Sequence, residues 1–228
     1  QCTRVCGDIS PHTLVHCDAT QAFGKIPLSP RELGVDLLTI TGHKIGGPRG
    51  IGALYVKRGT NMFTNAFGGG QEQGLRSGTE AVFLAAGFAA AAQEACENLE
   101  TNLDNARELK ARLLSGLRDA APEAIVNSRE DGSPYIVSVS LPGISNQALV
   151  DFLGTRGIYV SKASACTNNH ASVPKGTWRK KHPLSLQAAG IPLELGKSTI
   201  RVSFAPSTTP AQVDMLLEGI RDFKWQTS

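Results

Sequence analysis

The chain has 228 residues, of which 41% are apolar and 19% charged, and its formal net charge is +3 at pH 7. This length accommodates one large domain or one and a half. No apolar run approaches the ~18 residues that a membrane helix requires, and glycine and proline show no period, so a membrane protein, a collagen and a coiled coil are excluded. The small positive charge gives no support to nucleic acid as the main partner.

The cysteines indicate a reducing compartment. They are odd in number and spread over a long chain, which is not the pattern of a disulfide framework. The five are Cys2, Cys6, Cys17, Cys96 and Cys166. Their spacing relative to the histidines is not that of a zinc finger, so no metal centre is predicted. We therefore expect a cytoplasmic protein.

The first part of the chain predicts a small sheet. Short apolar runs at residues 14–20 and 35–41 are typical of buried strands, with at most a short helix between them. A third strand is predicted at 52–56, after the Gly-rich turn GGPRG. If these two strands are parallel, their carboxyl ends lie at one edge of the sheet. Asp18 and Lys44 would then face the same crevice.

Two helices follow, and they differ in character. Residues 80–98 are apolar almost all round, which predicts a helix buried on several sides. Residues 103–119 carry a single apolar stripe, which predicts an amphipathic surface helix. The stripe consists of Leu103, Ala106, Leu109, Leu113 and Leu117. The change near residue 98 predicts two domains, 1–98 and 99–228.

Strands and helices alternate beyond this boundary, so the predicted fold class is α/β. The predicted order is a strand at 136–141, a helix at 145–156, a strand at 158–162, a long polar loop, a strand at 199–204 and a final helix. Thr209 and Gln212 form a capping box for that helix, with Pro210 at its first position.

The strongest chemical signal joins Asp18 to the run Thr41-Gly42-His43-Lys44. A lysine at a strand end suits a Schiff base, because burial lowers its pKa and frees the amine as a nucleophile. A carboxylate on the neighbouring strand end suits the pyridinium nitrogen of pyridoxal phosphate. A salt bridge between Asp18 and Lys44 at the sheet edge is an equally good explanation of the spacing alone.

Five motifs, in order and with matching spacing, resemble the cysteine desulfurase and selenocysteine lyase family, which are fold-type I pyridoxal phosphate enzymes of the class V aminotransferase group. The motifs are HCDATQAFGK, TGHKIGGPRGIGALYV, FGGGQEQGLRSGTE, VSKASAC and STIRVSF. The resemblance covers nearly the whole chain. It implies the C-terminal part of a large, mostly parallel α/β domain that binds the cofactor, followed by a smaller α/β domain that carries a catalytic cysteine loop.

The resemblance also implies the cofactor site. Lys44 would form the Schiff base with pyridoxal 5'-phosphate. Asp18 would pair with the pyridine nitrogen and Gln21 with the ring hydroxyl. Thr41 and His43 would hold the phosphate.

Three further residues are assigned by the same resemblance. Thr79 would reach the phosphate from the partner subunit of a homodimer, and Arg201 would grip the substrate carboxylate. Cys166 would be the nucleophile that takes sulfur from L-cysteine as a persulfide and leaves L-alanine. A lone cysteine is more often a small core residue, but Cys166 begins a polar loop where a thiolate is favoured.

The loop after this cysteine is basic. Between Lys162 and His182 it has five basic residues and no acidic one. A solvated loop explains this composition, and so does attraction of an acidic sulfur-acceptor protein. The resemblance leaves the destination of the sulfur open among iron–sulfur cluster assembly, thiolated tRNA and a cofactor.

Family members carry a further segment before the first strand, so this chain is expected to be a fragment or one of two polypeptides. Four functions stay open. Three are enzymes: a cysteine desulfurase, a selenocysteine lyase, and a lyase or transaminase on the same scaffold that would not need Cys166. The fourth is a non-catalytic remnant that binds a sulfur-transfer partner. Neither a nucleic acid nor a membrane is expected as a partner.

Overall fold

The computed structural model describes residues 13–162 and 188–227. The chain divides into two compact units, the first ending at Asn102 and the second beginning at Leu103. Each unit combines a three-stranded sheet with helices, which confirms the predicted α/β class. Within these residues no helix is long and apolar enough to cross a membrane.

The first unit is built on strands β1 (His16–Asp18), β2 (Leu37–Thr41) and β3 (Gly52–Val56), in that spatial order. β1 and β2 are parallel, which is the condition for their carboxyl ends to share an edge, whereas β2 and β3 are antiparallel. The strands predicted at 14–20 and 35–41 are shorter in the structure, and β1 was expected to be buried, whereas His16 and Asp18 are exposed.

Local hydrogen bonding explains the shorter strands and the connection between them. Just before β1, the Val15 amide donates to the Asp36 carboxylate at 3.0 Å, while the Val15 carbonyl accepts from the Asp36 and Leu37 amides at 3.0 and 3.1 Å. Helix α1 (Pro30–Leu33) lies in the crossover, with Ser29 as its N-cap. Gly34 ends it in the left-handed region at φ 66°, which glycine adopts without strain.

Helix α2 (Val82–Glu97) contradicts one prediction. It was expected to be buried on several sides, yet none of its residues is buried, and Val82 and Phe83 are 71% and 78% exposed. Its inner face contacts the turn after β2. Its Phe88 ring also meets the ring of Phe23, in the turn after β1, edge-on with the ring centroids 6.2 Å apart. An all-round apolar pattern shows that a helix can be buried, but burial also needs neighbours, and the described part of the first unit covers one side only.

The second unit carries the larger core. Its strands are β4 (Ile125–Val126), β5 (Ile136–Ser140) and β6 (Thr199–Ser203), all antiparallel. Its helices are α3 (Leu99–Ala120), which starts at the end of the first unit, α4 (Asn146–Thr155), α5 (Leu193–Gly196) and α6 (Pro210–Thr227). The helices α3, α4 and α6 bury their apolar faces with one face of the sheet.

The predicted apolar stripe of α3 is confirmed, since every residue named in it is buried. The capping box of α6 is confirmed as well. The Thr209 amide donates to Gln212 Oε1 at 2.9 Å, and the Gln212 amide donates to Thr209 Oγ1 at 3.4 Å.

The strand predicted at 158–162 is wrong. Only Ser161 pairs with the sheet, through an isolated bridge to Arg201 on the free edge of β6. Residues 157–160 and the end of β6 line a cleft of about 280 Å³ together with residues of α6, and they form no strand pairing where a continuous strand was expected. The short elements β4 and α5 were not predicted.

Candidate active site

Asp18 is the last residue of β1 and is exposed at the carboxyl end of the sheet. Its Oδ1 accepts a hydrogen bond from the Thr20 amide at 3.0 Å. Hydrogen bonds from the Thr20 side chain and amide, with a smaller contribution from the charge of His16, hold the pKa of the Asp18 carboxyl below its usual value. The carboxyl is therefore anionic at neutral pH, as a partner for a pyridinium nitrogen must be.

Lys44 lies in the tight turn Gly42–Lys44, which follows β2 directly. Because β1 and β2 are parallel, this turn and Asp18 lie at the same edge of the sheet. In the described part of the chain the Lys44 amine makes no hydrogen bond or salt bridge. The salt bridge to Asp18, which the spacing alone left open, is thus absent among these residues. Lys44 is exposed, which contradicts the expected burial of the lysine, and its amine is available for a covalent partner.

Thr41 and His43 are joined to each other at the start of this turn. Thr41 Oγ1 and His43 Nδ1 are 3.0 Å apart, and the Thr41 hydroxyl donates to the Ile51 carbonyl at 3.1 Å. Since the Thr41 proton is used in this bond, the network assigns the shared proton to His43 Nδ1. The two side chains predicted to hold a phosphate are therefore adjacent, and Thr41 can donate to a ligand only by giving up its bond to Ile51.

Gln21 lies one turn beyond Asp18 and is exposed. Lys25 Nζ donates to its Oε1 at 3.4 Å. Burial, and secondly the positive charge of Lys44, lower the pKa of Lys25. A second lysine thus lies near Lys44, which the sequence analysis missed, although its position four residues after Gln21 on a helical turn is a detectable signal.

Hydrogen bonds to the start of β3 hold the turn that carries Lys44. The Ile51 carbonyl accepts from the Gly42 amide at 3.1 Å as well as from the Thr41 hydroxyl. Gly52 lies opposite Thr41 in the antiparallel pair, and a Cβ added there would stand 2.7 Å from the Ile40 carbonyl oxygen. Only glycine fits at position 52, so the close approach of β3 to the end of β2, and with it the geometry of the Lys44 turn, depends on Gly52.

These side chains match the chemistry of pyridoxal phosphate. An anionic carboxylate, an amide side chain, a hydroxyl with an adjacent imidazole and an uncommitted primary amine lie on neighbouring turns at one sheet edge. They supply an acceptor for the pyridinium, a donor for the ring hydroxyl, donors for a phosphate and a nucleophile for the aldehyde. The described residues of the first unit fit the cofactor.

Arg201 lies in the centre of β6 in the second unit, on the sheet face opposite the apolar core. It is half-buried, and among the described residues its Nε has no hydrogen-bond partner. A buried guanidinium nitrogen without a partner is costly, and a carboxylate is the ligand that its planar donors fit. This environment agrees with the predicted carboxylate grip.

Two predicted residues are not placed in a site. Thr79 is exposed in the loop before α2, and its contact with a cofactor in a partner subunit remains a prediction. Cys166 lies outside the described residues, as do four of the five basic residues predicted in its loop. Only Lys162 is described, and its Nζ donates to Gln147 Oε1.

The chain matches the family model "Aminotransferase class-V" over residues 8–216. It is 37% identical over 211 residues to "Cysteine desulfurase IscS" of Enterobacter sp. (strain 638), and this match covers 92% of the chain and 50% of that relative. The chain therefore spans about half the length of the relatives that it matches.

Solved structures agree with this result. A "NIFS-LIKE PROTEIN" superposes with a TM-score of 0.84 at 33% identity, over 98% of this chain and 56% of its own. A NifS-like protein from Rickettsia africae ESF-5 gives a TM-score of 0.82 at 28% identity, over 97% and 57% of the two chains. Class V aminotransferases and the cysteine desulfurases among them depend on pyridoxal phosphate. The chain belongs to the class V aminotransferase family, among the relatives of the cysteine desulfurases.

Proposed function

We propose that this chain is the lysine- and cysteine-bearing part of a pyridoxal phosphate-dependent cysteine desulfurase, which converts L-cysteine to L-alanine and keeps the sulfur as a persulfide on Cys166. The observation that carries the proposal is that an anionic Asp18, at the end of β1, and an uncommitted Lys44, in the turn after β2, lie at the same edge of two parallel strands. The family membership and the half-buried Arg201 support it.

Each described side chain has a distinct task in this reaction. When bound, the cofactor supplies an electron sink for the substrate α-carbon. Asp18 keeps a positive charge on the ring nitrogen, because its own carboxyl stays ionised. His43 and Thr41 hold the phosphate, and Gln21 holds the ring hydroxyl. Lys44 acts as a base, taking the proton from the α-carbon of the substrate.

The sulfur step uses the Cys166 thiolate. It attacks the sulfur of the substrate, so that a sulfur–sulfur bond forms and the carbon–sulfur bond breaks. The electron pair of the broken bond stays on the β-carbon, which takes up a proton to become the methyl group of alanine. One L-cysteine and one enzyme thiol thus give one L-alanine and one enzyme persulfide, with no external oxidant.

The experiment compares two cysteine variants of the pyridoxal phosphate-loaded protein. We expect Cys166→Ala to abolish both sulfide release and alanine formation from L-cysteine. Cys96→Ala is the matched control, because Cys96 is an exposed free thiol on α2, and it should keep the parent rate. Sulfide release that persists in Cys166→Ala would remove the persulfide from the proposal, and a β-lyase or transaminase reaction on the same scaffold would take its place.

The partners and the compartment belong to the same proposal. Exposed Phe63, Phe67, Val82 and Phe83 lie in the stretch of chain that includes Thr79, and such apolar surface supports a homodimer. The basic composition after Cys166 supports an acidic sulfur-acceptor protein. The free thiols of Cys17 and Cys96 support a reducing cytoplasm.

A further inference from the structure

Arg201 is held from one side by a single residue outside its own sheet. Its amide donates to the Ser161 carbonyl at 2.6 Å, and the Ser161 amide donates to the Arg201 carbonyl at 3.1 Å. These two bonds form an isolated bridge on the free edge of β6. The backbone of Arg201 is therefore fixed between β5 and Ser161, although residues 157–160 form no strand pairing with the edge.

The side chains of the same two residues also meet. Arg201 Nη2 donates to Ser161 Oγ at 3.4 Å, whereas Nε has no partner among the described residues. In those residues no carboxylate forms a salt bridge with Arg201. The neutral Ser161 hydroxyl thus accepts a hydrogen bond from one edge of the guanidinium, which orients the group without neutralising its charge.

The residue after Ser161 does not compete for this position. Lys162 Nζ donates to Gln147 Oε1 on α4, and Gln147 in turn donates to Asp151 from its Nε2 at 2.8 Å. The positive charge of Lys162 is therefore drawn to α4. Among the described residues, Ser161 is the side chain that accepts a hydrogen bond from the Arg201 guanidinium.

We propose that Ser161 is a positioning residue for carboxylate binding, and that its hydroxyl sets the rotation of the Arg201 guanidinium so that Nε and a neighbouring N–H face an amino-acid carboxylate side-on. This inference rests on the proposed function, since it deepens the role given there to Arg201. Ser161 does not touch the carboxylate; it acts through the orientation of Arg201. A guanidinium that is already oriented loses less freedom when the ligand binds.

The test titrates L-alanine, the carboxylate-bearing product, into the pyridoxal phosphate-loaded protein and follows the Arg201 Nε–H signal by NMR. The signal is assigned by its loss in Arg201→Lys. We expect Ser161→Ala to weaken L-alanine binding about three- to tenfold, the worth of one hydrogen bond, and to shift the Arg201 signal before any L-alanine is added. Ser161→Thr keeps the hydroxyl and should restore both. Ser203 is an exposed serine on β6, the strand that contains Arg201, so Ser203→Ala is the matched control and should bind L-alanine with the affinity of the parent.

The backbone bridge survives in Ser161→Ala, so the variant separates orientation from folding. Parent-like L-alanine affinity in Ser161→Ala, with the Arg201 signal responding in both proteins, would overturn the positioning role and leave the proposed function intact. An Arg201 signal that does not respond to L-alanine in the parent would instead contradict the carboxylate role of Arg201 and, with it, this inference.

Discussion

Gly52→Ala tests whether β3 fixes the turn that carries Lys44. The added methyl group would stand 2.7 Å from the Ile40 carbonyl oxygen, and a carbon–oxygen contact needs about 3.3 Å. The strands must therefore separate by roughly 0.6 Å at the point where Ile51 accepts bonds from Gly42 and Thr41. Overpacking of this kind costs about 1–3 kcal/mol.

The assay for this variant is amide hydrogen exchange at Gly42, whose N–H donates to the Ile51 carbonyl. A cost of this size accelerates exchange about 5- to 150-fold, and pyridoxal phosphate capture by Lys44 should weaken in parallel. Gly70→Ala is the matched control, because a Cβ there meets nothing within 4 Å. Exchange at Gly42 that is unchanged in Gly52→Ala would refute the dependence of the lysine turn on this close approach.

Three further predictions concern single contacts. Thr20→Val removes the largest cause of the low Asp18 pKa, so NMR titration should show the Asp18 midpoint below the ordinary aspartate value in the parent and higher in the variant; equal midpoints would contradict this cause. Because the folded pKa is depressed, the stability that this carboxylate contributes is present above the unfolded pKa and is lost as the pH falls through the folded pKa. Leu113→Ala truncates a side chain that is 1% exposed and should lower the free energy of unfolding, measured by urea denaturation, by about 2–5 kcal/mol. Ser115 is exposed on the same helix, so Ser115→Ala is the control and should leave the free energy of unfolding nearly unchanged; an equally small change in Leu113→Ala would contradict the prediction. Thr209→Ala breaks the capping box of α6 and should cost about 1 kcal/mol in the same assay, whereas no loss would show that the cap is replaced by water.

The elements that sequence analysis predicted well are those defined by local pattern. The apolar stripe of α3 and the Thr209 capping box follow from spacing along one helix, and both are confirmed. The shared edge of Asp18 and Lys44 was expected only if the two strands were parallel, and the structure shows that they are.

The errors arise where structure depends on distant segments. The apolar pattern of α2 says nothing about which neighbours cover it, so its exposure was not foreseen. The run 158–162 has strand character, but only Ser161 reaches a partner. The contact of Lys25 with Gln21 is local to one turn, but the influence of the Lys44 charge on Lys25 needs the three-dimensional arrangement of two turns.

The central claim is that Lys44 is the residue that binds pyridoxal phosphate covalently. The most direct measurement mixes the protein with pyridoxal phosphate, reduces it with borohydride and locates the adduct by peptide mass spectrometry. The account predicts one adduct per chain on Lys44, with neighbouring Lys25 unmodified and Lys44→Ala unlabelled. Labelling scattered over surface lysines, or a stoichiometric adduct on Lys25, would contradict it.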